Sequence, residues 1–408
     1  MKINKNFVLI LSSFFLLASC KTGLLADPKN KTADTAAGKT RHELIKEEKR
    51  KQSEADLPFR VIDPTKKINV IAFSSSVDQS LPQPVWTTIA KENPDLFIFT
   101  GDHLSISKPE QKNVLEQYKR LNRSAEYRDI REKIPFMAVW EDHDNGNYDA
   151  NAVVIDTEAS KSEYLKYWSY LKTSLPKQAK YLYHSKIMGD KKNTVQVIVL
   201  DTRSERSELK KNLDPAKPIE NITTTVTSTD QTTATTTTET KTVTIKERRP
   251  YLADDDKKKH FLSEDQWSWL ESELRKQVGL KIIVSSIQVL ANDHQSEKWG
   301  NFPHERERFL NLLKSTKVHN VLILSGNRQL GTLAQLDVKG LGKVVDATAG
   351  PINLPGLPGN IVKDATYLKD AYSEVNFGLI KINWSTRKAA VEIHGTDNSV
   401  VNSTELKF

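Results

Sequence analysis

Apolar runs that end abruptly in ionisable side chains recur along this chain. They favour folds that gather several strand ends along one edge. Ile134-Pro135-Phe136-Met137-Ala138-Val139 runs into Trp140-Glu141-Asp142-His143-Asp144, which puts three carboxylates and an imidazole into four residues. Upstream, Asp95-Leu96-Phe97-Ile98-Phe99-Thr100 leads into Gly101-Asp102-His103. Far downstream, Val321-Leu322-Ile323-Leu324-Ser325 leads into Gly326-Asn327-Arg328-Gln329. Acids crowded this closely repel one another unless a metal, an arginine or solvent compensates them. The first two loops have the composition of metal-site corners. The third has the same shape and almost none of the ligands.

The remaining pattern alternates. Strands are expected at residues 68–73, 95–99 and 136–139, with helices at 84–92, stopped by Pro94, and 114–130. A helix rich in Tyr and Trp follows at 160–175. Residues 181–187 and 195–200 read as paired strands, the second delivering Asp201-Thr202-Arg203 at its exit. A helix over 262–277 has Ser263 as its cap and Gln266 at the capping-box position. Further strands are expected at 282–287, 321–324, 344–346, 377–382 and 389–393, with a helix at 303–314. Strands alternating with helices, and polar loops at strand exits, specify a layered α/β fold. Residues 221–244 differ in kind, because their threonine runs have no apolar alternation to define a buried face. Residues 210–259 are therefore expected to form an exposed insertion, hairpin-forming or glycosylated, with no catalytic role.

Lys2 and Lys5 precede an apolar run over residues 7–17, which gives way to Leu17-Ala18-Ser19-Cys20. This order is that of a secretory signal, and the run is too short to span a bilayer comfortably. Cys after Leu-Ala-Ser resembles the bacterial lipobox, which implies cleavage before Cys20 and lipidation there. Cys20 is the only cysteine, so a disulfide within the chain and a catalytic thiolate are both excluded. The expected organisation is a signal peptide at 1–19, a lipidated N-terminus and tether at 20–60, and one large domain at 61–408. A membrane partner is expected through lipidated Cys20 in the bacterial cell envelope. Lys21 lacks the Asp that commonly retains lipoproteins at the inner membrane, so the destination is the outer membrane if the host has two. The formal charge of +8 weakly favours anionic neighbours such as lipid headgroups or phosphate compounds. No zinc finger, basic helix or aromatic-basic interleaving points to nucleic acid.

A two-metal hydrolase gathers ligands from several strand ends around a bridging carboxylate, and its metals activate water and neutralise a phosphoryl group. Asp102 is the natural bridging candidate, with Asp142, His143 and Asp144 around it. Gly-Asp-His alone is also a common turn, and the denser cluster reads either as a metal site or as a solvated turn.

The loops also carry a resemblance. Phe73-Ser74-Ser75-Ser76-Val77-Asp78-Gln79, Pro94 through Asp102, and Ala138 through Asp149 resemble successive motifs of PhoD-like alkaline phosphatases. These are phosphodiesterases or phosphomonoesterases of the calcineurin-like metallophosphatase superfamily. Val199-Leu200-Asp201-Thr202-Arg203, Leu262 through Leu270, Trp299 through Arg308, and Leu324 through Gln329 continue the match in order. The resemblance covers residues 68–331 apart from the insertion. It implies a sandwich of two central mixed sheets flanked by helices, with metals at the strand-end loops.

The departures fall on ligand positions. The family usually reads Gly-Ser-Cys where this chain has Ser74-Ser75-Ser76, Gly-Asp-Asn-Ile-Tyr where it has Gly101 through Ser105, and Asp-Asp-His-Asp where it has Glu141 through Asp144. Its last motif, Ser-Gly-Asp-x-His, meets Asn327 and Gln329. Serine is a far poorer ligand than thiolate, while Asn and Gln remove a charge and an imidazole. The resemblance therefore implies degraded ligand positions at Ser76, Asn327 and Gln329. A retained set of Asp102, Asp142, His143 and Asp144 can be joined by His103, which is otherwise an exposed turn residue. The implied cofactor is a divalent metal (Ca, Fe, Mn or Zn), weakly or partially bound. If the chain is active, His143, Arg203 and Arg328 are the catalytic candidates, the arginines as phosphate clamps. Arg203 can instead pair with Asp201 or Glu205. His294 and Trp299 are candidates for the pocket mouth, whereas Trp267, Trp269, Asp293, His304 and Glu305 are read as structural.

The favoured expectation is a phosphatase-fold lipoprotein with hydrolysis lost or strongly weakened. Its retained role would be binding a phosphate-containing small molecule or an envelope component. The alternatives are an active metal-dependent phosphoesterase and a calcium-stabilised scaffold. Ser76→Cys, Asn327→Asp and Gln329→His together are expected to create metal affinity.

Overall fold

The structure, a computed structural model, describes residues 42–43, 45–46, 58–105, 114–145, 157–175, 181–190, 192–212, 222–230, 235–243, 251–294, 296–353 and 363–408. The signal peptide, Cys20 and most of the tether lie outside them. The chain divides into two compact units, Met1–Arg50 and Lys51–Phe408. Lys51–Phe408 holds the two six-stranded sheets.

Its strands are β1 Val70–Ser74, β2 Leu96–Phe99, β3 Phe136–Ala138, β4 His184–Asp190, β5 Asn193–Val199, β6 Ile222–Asp230 and β7 Thr235–Val243. They continue as β8 Leu280–Val284, β9 Val321–Ser325, β10 Thr332–Val338, β11 Gly342–Thr348, β12 Asn376–Asn383, β13 Lys388–Gly395 and β14 Val400–Lys407. The described α-helices are α1 Val85–Lys91, α2 Val114–Leu121, α3 Ala125–Lys133, α4 Thr157–Tyr167, α5 Glu264–Leu274 and α6 Pro303–Ser315.

The strands form two six-stranded mixed sheets, ordered β14-β13-β12-β1-β2-β3 and β10-β11-β9-β8-β5-β4. Strand alternation sorts their side chains into layers. Ile71, Phe73, Leu96 and Ile98 of the first sheet share an inner core with Val197, Ile282, Val284, Leu322 and Leu324 of the second. The intervening Phe97 and Phe99 face outward onto Trp86 and Ile89 of α1, Tyr118 of α2 and Tyr127 of α3. On the opposite side Ile198, Ile283 and Ile323 meet Leu270 and Leu274 of α5 and Phe309 and Leu313 of α6. The result is the expected sandwich of two mixed sheets between helices.

The helix expected over 114–130 is divided. Ser124 is extended, and its hydroxyl accepts from Tyr127 N at 3.3 Å, so it caps a new helix, α3. Ser263 caps α5 as expected, accepting from Gln266 N at 3.3 Å. Gln266 does not complete the capping box. Its side chain instead brackets Asp201, donating to the carbonyl at 2.9 Å and accepting from the amide at 2.8 Å. The threonine-rich segment pairs with itself as the antiparallel hairpin β6–β7, which belongs to neither six-stranded sheet.

Parallel pairs join β1, β2 and β3 in one sheet and β5, β8, β9 and β11 in the other. The Ser76 loop follows β1, the acidic loops follow β2 and β3, and the Gly326 loop follows β9. All of them leave the carboxyl ends of parallel strands, where α/β folds place their sites.

Candidate metal centre

The loops after β1 and β2 are tied by main-chain bonds. Thr100 N donates to Ser74 O at 3.0 Å, and Val77 N to Asp102 O at 2.9 Å. From the second sheet, Gly326 N donates to Ser286 O at 3.0 Å. Ser76, Asp102, Asn327 and Gln329 all hold positive φ, at 58°, 52°, 56° and 50°. Left-handed backbone at a residue other than glycine costs roughly 1–3 kcal/mol and persists only where the surroundings enforce it. The same left-handed conformation thus recurs at Asp102 and at Ser76, Asn327 and Gln329.

Asp102, Asp142 and His143 bring one ligand atom each within 4.8 Å of the others, the two carboxylates buried and the imidazole half-buried. Among the described residues this is the one group of its kind. Asp102 Oδ1 is buried with no hydrogen-bond partner, and Oδ2 receives a long contact from Ser76 Oγ at 3.4 Å. Burial, reinforced by the neighbouring charges of Asp142 and Glu141, holds the Asp102 carboxyl well above the usual carboxylate range. Burial would raise Asp142 too. His143, Arg203 and hydrogen bonds from Asp102 and Glu141 outweigh it and hold that carboxyl below the range. An unsatisfied buried oxygen beside a second carboxylate and an imidazole is a donor set for one divalent cation.

His103 and Asp144 lie elsewhere. Both are fully buried, with His103 Nδ1 2.9 Å from Asp144 Oδ1. Asp144 Oδ1 also accepts from Tyr118 OH at 2.8 Å, and Oδ2 from Glu141 N at 3.1 Å. The His103 ring packs against Phe99 and Trp168, with centroids 4.7 and 4.9 Å away. The pair forms a polar strut in the aromatic core behind the centre, which departs from the expectation that both are ligands or that His103 is an exposed turn residue.

Arg203 does not face open solvent or a pocket. It is fully buried between two glutamates, with Nε 3.0 Å from Glu141 Oε1 and Nη1 2.9 Å from Glu297 Oε1. Its Nη2 bonds both acids, reaching Glu297 Oε2 at 2.5 Å. Asp201, expected as a possible partner, receives Arg203's main-chain N–H at 3.1 Å, while Glu205 accepts from Tyr181. Glu297 also pairs with Arg206 and accepts from Asn327 Nδ2 at 2.7 Å. Burial dominates the acid partner Glu141, whose carboxyl is pushed up to about 8 despite the opposing pull of Arg203.

Sequence reasoning missed Glu297. The available signal was an acid just ahead of the Trp299-Gly300 motif, and only the fold shows that it faces Asn327. Arg328 is half-buried beside His294. Burial, Arg328 and Lys298 together push the His294 imidazole well below its ordinary value. Trp299 is not at a pocket mouth. It is fully buried, with its indole N–H on Ser285 Oγ at 3.0 Å.

A PhoD-like phosphatase family model matches residues 79–397. The chain belongs to the PhoD-like phosphatase family. The structure of PhoD superposes with a TM-score of 0.58 at 15% identity, covering 85% of this chain and 70% of that one. GAP50, the anchor in the inner membrane complex of Plasmodium, is more distant, with a TM-score of 0.48 and 12% identity over 84% of this chain and 90% of its own. No curated protein matches.

PhoD-like proteins depend on metal, and an acidic cluster that can hold one exists here. The fit differs between the two walls. Asp102, Asp142 and His143 suit a single cation. On the facing wall Ser76 offers a hydroxyl already turned to Asp102, and the Asn327 Nδ2 donor is committed to Glu297. Both of these side chains are uncharged.

Proposed function

We propose that this PhoD-like protein is a lipid-anchored component of the bacterial envelope in which phosphoester hydrolysis is lost or strongly weakened. Its loop cluster is retained to bind a phosphate-containing small molecule or envelope component. The observation that carries this reading is the hydrogen bond from Asn327 Nδ2 to Glu297 Oε2 at 2.7 Å. Where the family supplies an acid, this chain has a donor already used within the protein. Two-metal hydrolysis relies on a pair of ions that clamp the attacking and leaving oxygens. One cation at Asp102, Asp142 and His143 can neutralise a bound anion without completing that clamp.

Lipid attachment at Cys20 is supported by the charged, apolar and small-residue order ahead of it. In a host with two membranes, Lys21 favours the outer one.

A second reading, a hydrolase working with one cation, is favoured by the unpartnered Asp102 Oδ1. Phosphomonoester and phosphodiester assays of the mature protein with calcium, iron, manganese and zinc separate the two. No turnover above that of Asp102→Ala is expected. Metal-dependent turnover abolished by Asp102→Ala would overturn the proposal.

A further inference from the structure

We infer that Glu297 sets the cation count of the centre, because it holds Asn327 on the facing wall as a hydrogen-bond donor within a buried ion-pair network. This rests on the one-cation reading above and adds the residue that enforces it.

A carboxylate has about four lone-pair directions. At Glu297, Oε1 takes Arg203 Nη1 at 2.9 Å and the ion pair with Arg206. Oε2 takes Arg203 Nη2 at 2.5 Å and Asn327 Nδ2 at 2.7 Å. Three hydrogen bonds and one ion pair thus meet on this carboxylate. Arg203 carries the network on to Glu141, so two guanidinium groups stand against two carboxylates, all essentially inaccessible to solvent. Glu141 in turn lies over Gly101, where an added Cβ would sit 2.5 Å from Glu141 Cγ, so the network adjoins the Asp102 loop directly.

Asn327 is therefore required as a donor. An acid at this position would set a second carboxylate against Glu297 Oε2 with no proton between them, in a buried setting where an unpaired charge is costly. The three changes Ser76→Cys, Asn327→Asp and Gln329→His thus do not by themselves rebuild a second metal position. Glu297→Gln has to accompany them, because its amide can donate to the new carboxylate.

Metal content after dialysis against zinc or manganese, for the triple variant with Glu297 intact and with Glu297→Gln added, reads this directly. We expect the triple variant to keep at most one ion per chain and the quadruple variant to gain another. Two ions in the triple variant, or no gain in the quadruple, would overturn the inference.

A thermal cycle of Asn327→Asp, Glu297→Gln and their combination covers the case in which the larger variants fold poorly. Asn327→Asp should lower the midpoint by about 5 °C or more with Glu297 intact, and by less than half as much beside Glu297→Gln. Equal losses in both backgrounds would overturn the coupling. Turnover by the unaltered protein would contradict the proposed function but leave this cycle unchanged.

Discussion

His103 Nδ1 lies 2.9 Å from Asp144 Oδ1, and neither side chain reaches solvent. Two ionisable residues adjacent in sequence to the metal cluster thus pair with each other in the aromatic core. Asp144→Ala strands three donors, His103 Nδ1, Tyr118 OH and Glu141 N–H. Each buried donor left unpaired costs about 1–3 kcal/mol. Urea unfolding should show a loss of about 3 kcal/mol or more, with calorimetry on the folded fraction showing little change in cation affinity. A stable Asp144→Ala protein that no longer binds the cation would make Asp144 a ligand after all.

Gly101→Ala tests how closely the Asp102 loop and the ion network are packed. Gly101 has φ of 110°, where a side chain is strained, and a Cβ would collide with Glu141. Backbone strain and overpacking each cost about 1–3 kcal/mol. Equilibrium unfolding should show a loss in that range or above it. A loss below about 0.5 kcal/mol would mean that the loop relaxes freely.

The frame of the fold was legible because its signals are local. Apolar runs bounded by Pro, Gly and acids placed β1, β2, β3 and β9, and Ser263 announced α5. The edge strands β10 and β14 were not legible. Gln335 and Leu336 alternate with no clear apolar face, and β14 reads Val400-Val401-Asn402-Ser403-Thr404-Glu405, so pairing with a neighbour defines these strands more than their own pattern does. At the centre, the cluster was visible as charge density, but its division was not. Whether Asp144 faces Asp142 or His103 depends on the turn after Trp140. Whether Arg203 meets a ligand or Glu297 depends on a contact between residues 94 positions apart.

His184 gives the fold a pH dependence separate from the metal loops. It is buried, with Nδ1 2.8 Å from Leu182 O and Nε2 3.2 Å from Tyr170 OH, and burial lowers its imidazole to about 4. The folded protein holds this ring neutral, so its contribution is complete above the unfolded value of 6.5. As pH falls below that, the unfolded chain takes the proton first, and stability is lost until the folded form also protonates near 4. The shift corresponds to about 3 kcal/mol. Urea unfolding between pH 7.5 and 4 should show that loss, with a shallower slope for His184→Gln. Parallel slopes would assign the pH dependence to other groups.

The most direct measurement is the number of metal ions bound per chain when the mature protein is dialysed against calcium, iron, manganese or zinc and analysed by mass spectrometry. One ion at most is expected, removed by Asp102→Ala, with Asn327→Ala leaving the count unchanged. Two ions per chain in the unaltered protein, with one lost in Asn327→Ala, would contradict the one-cation reading.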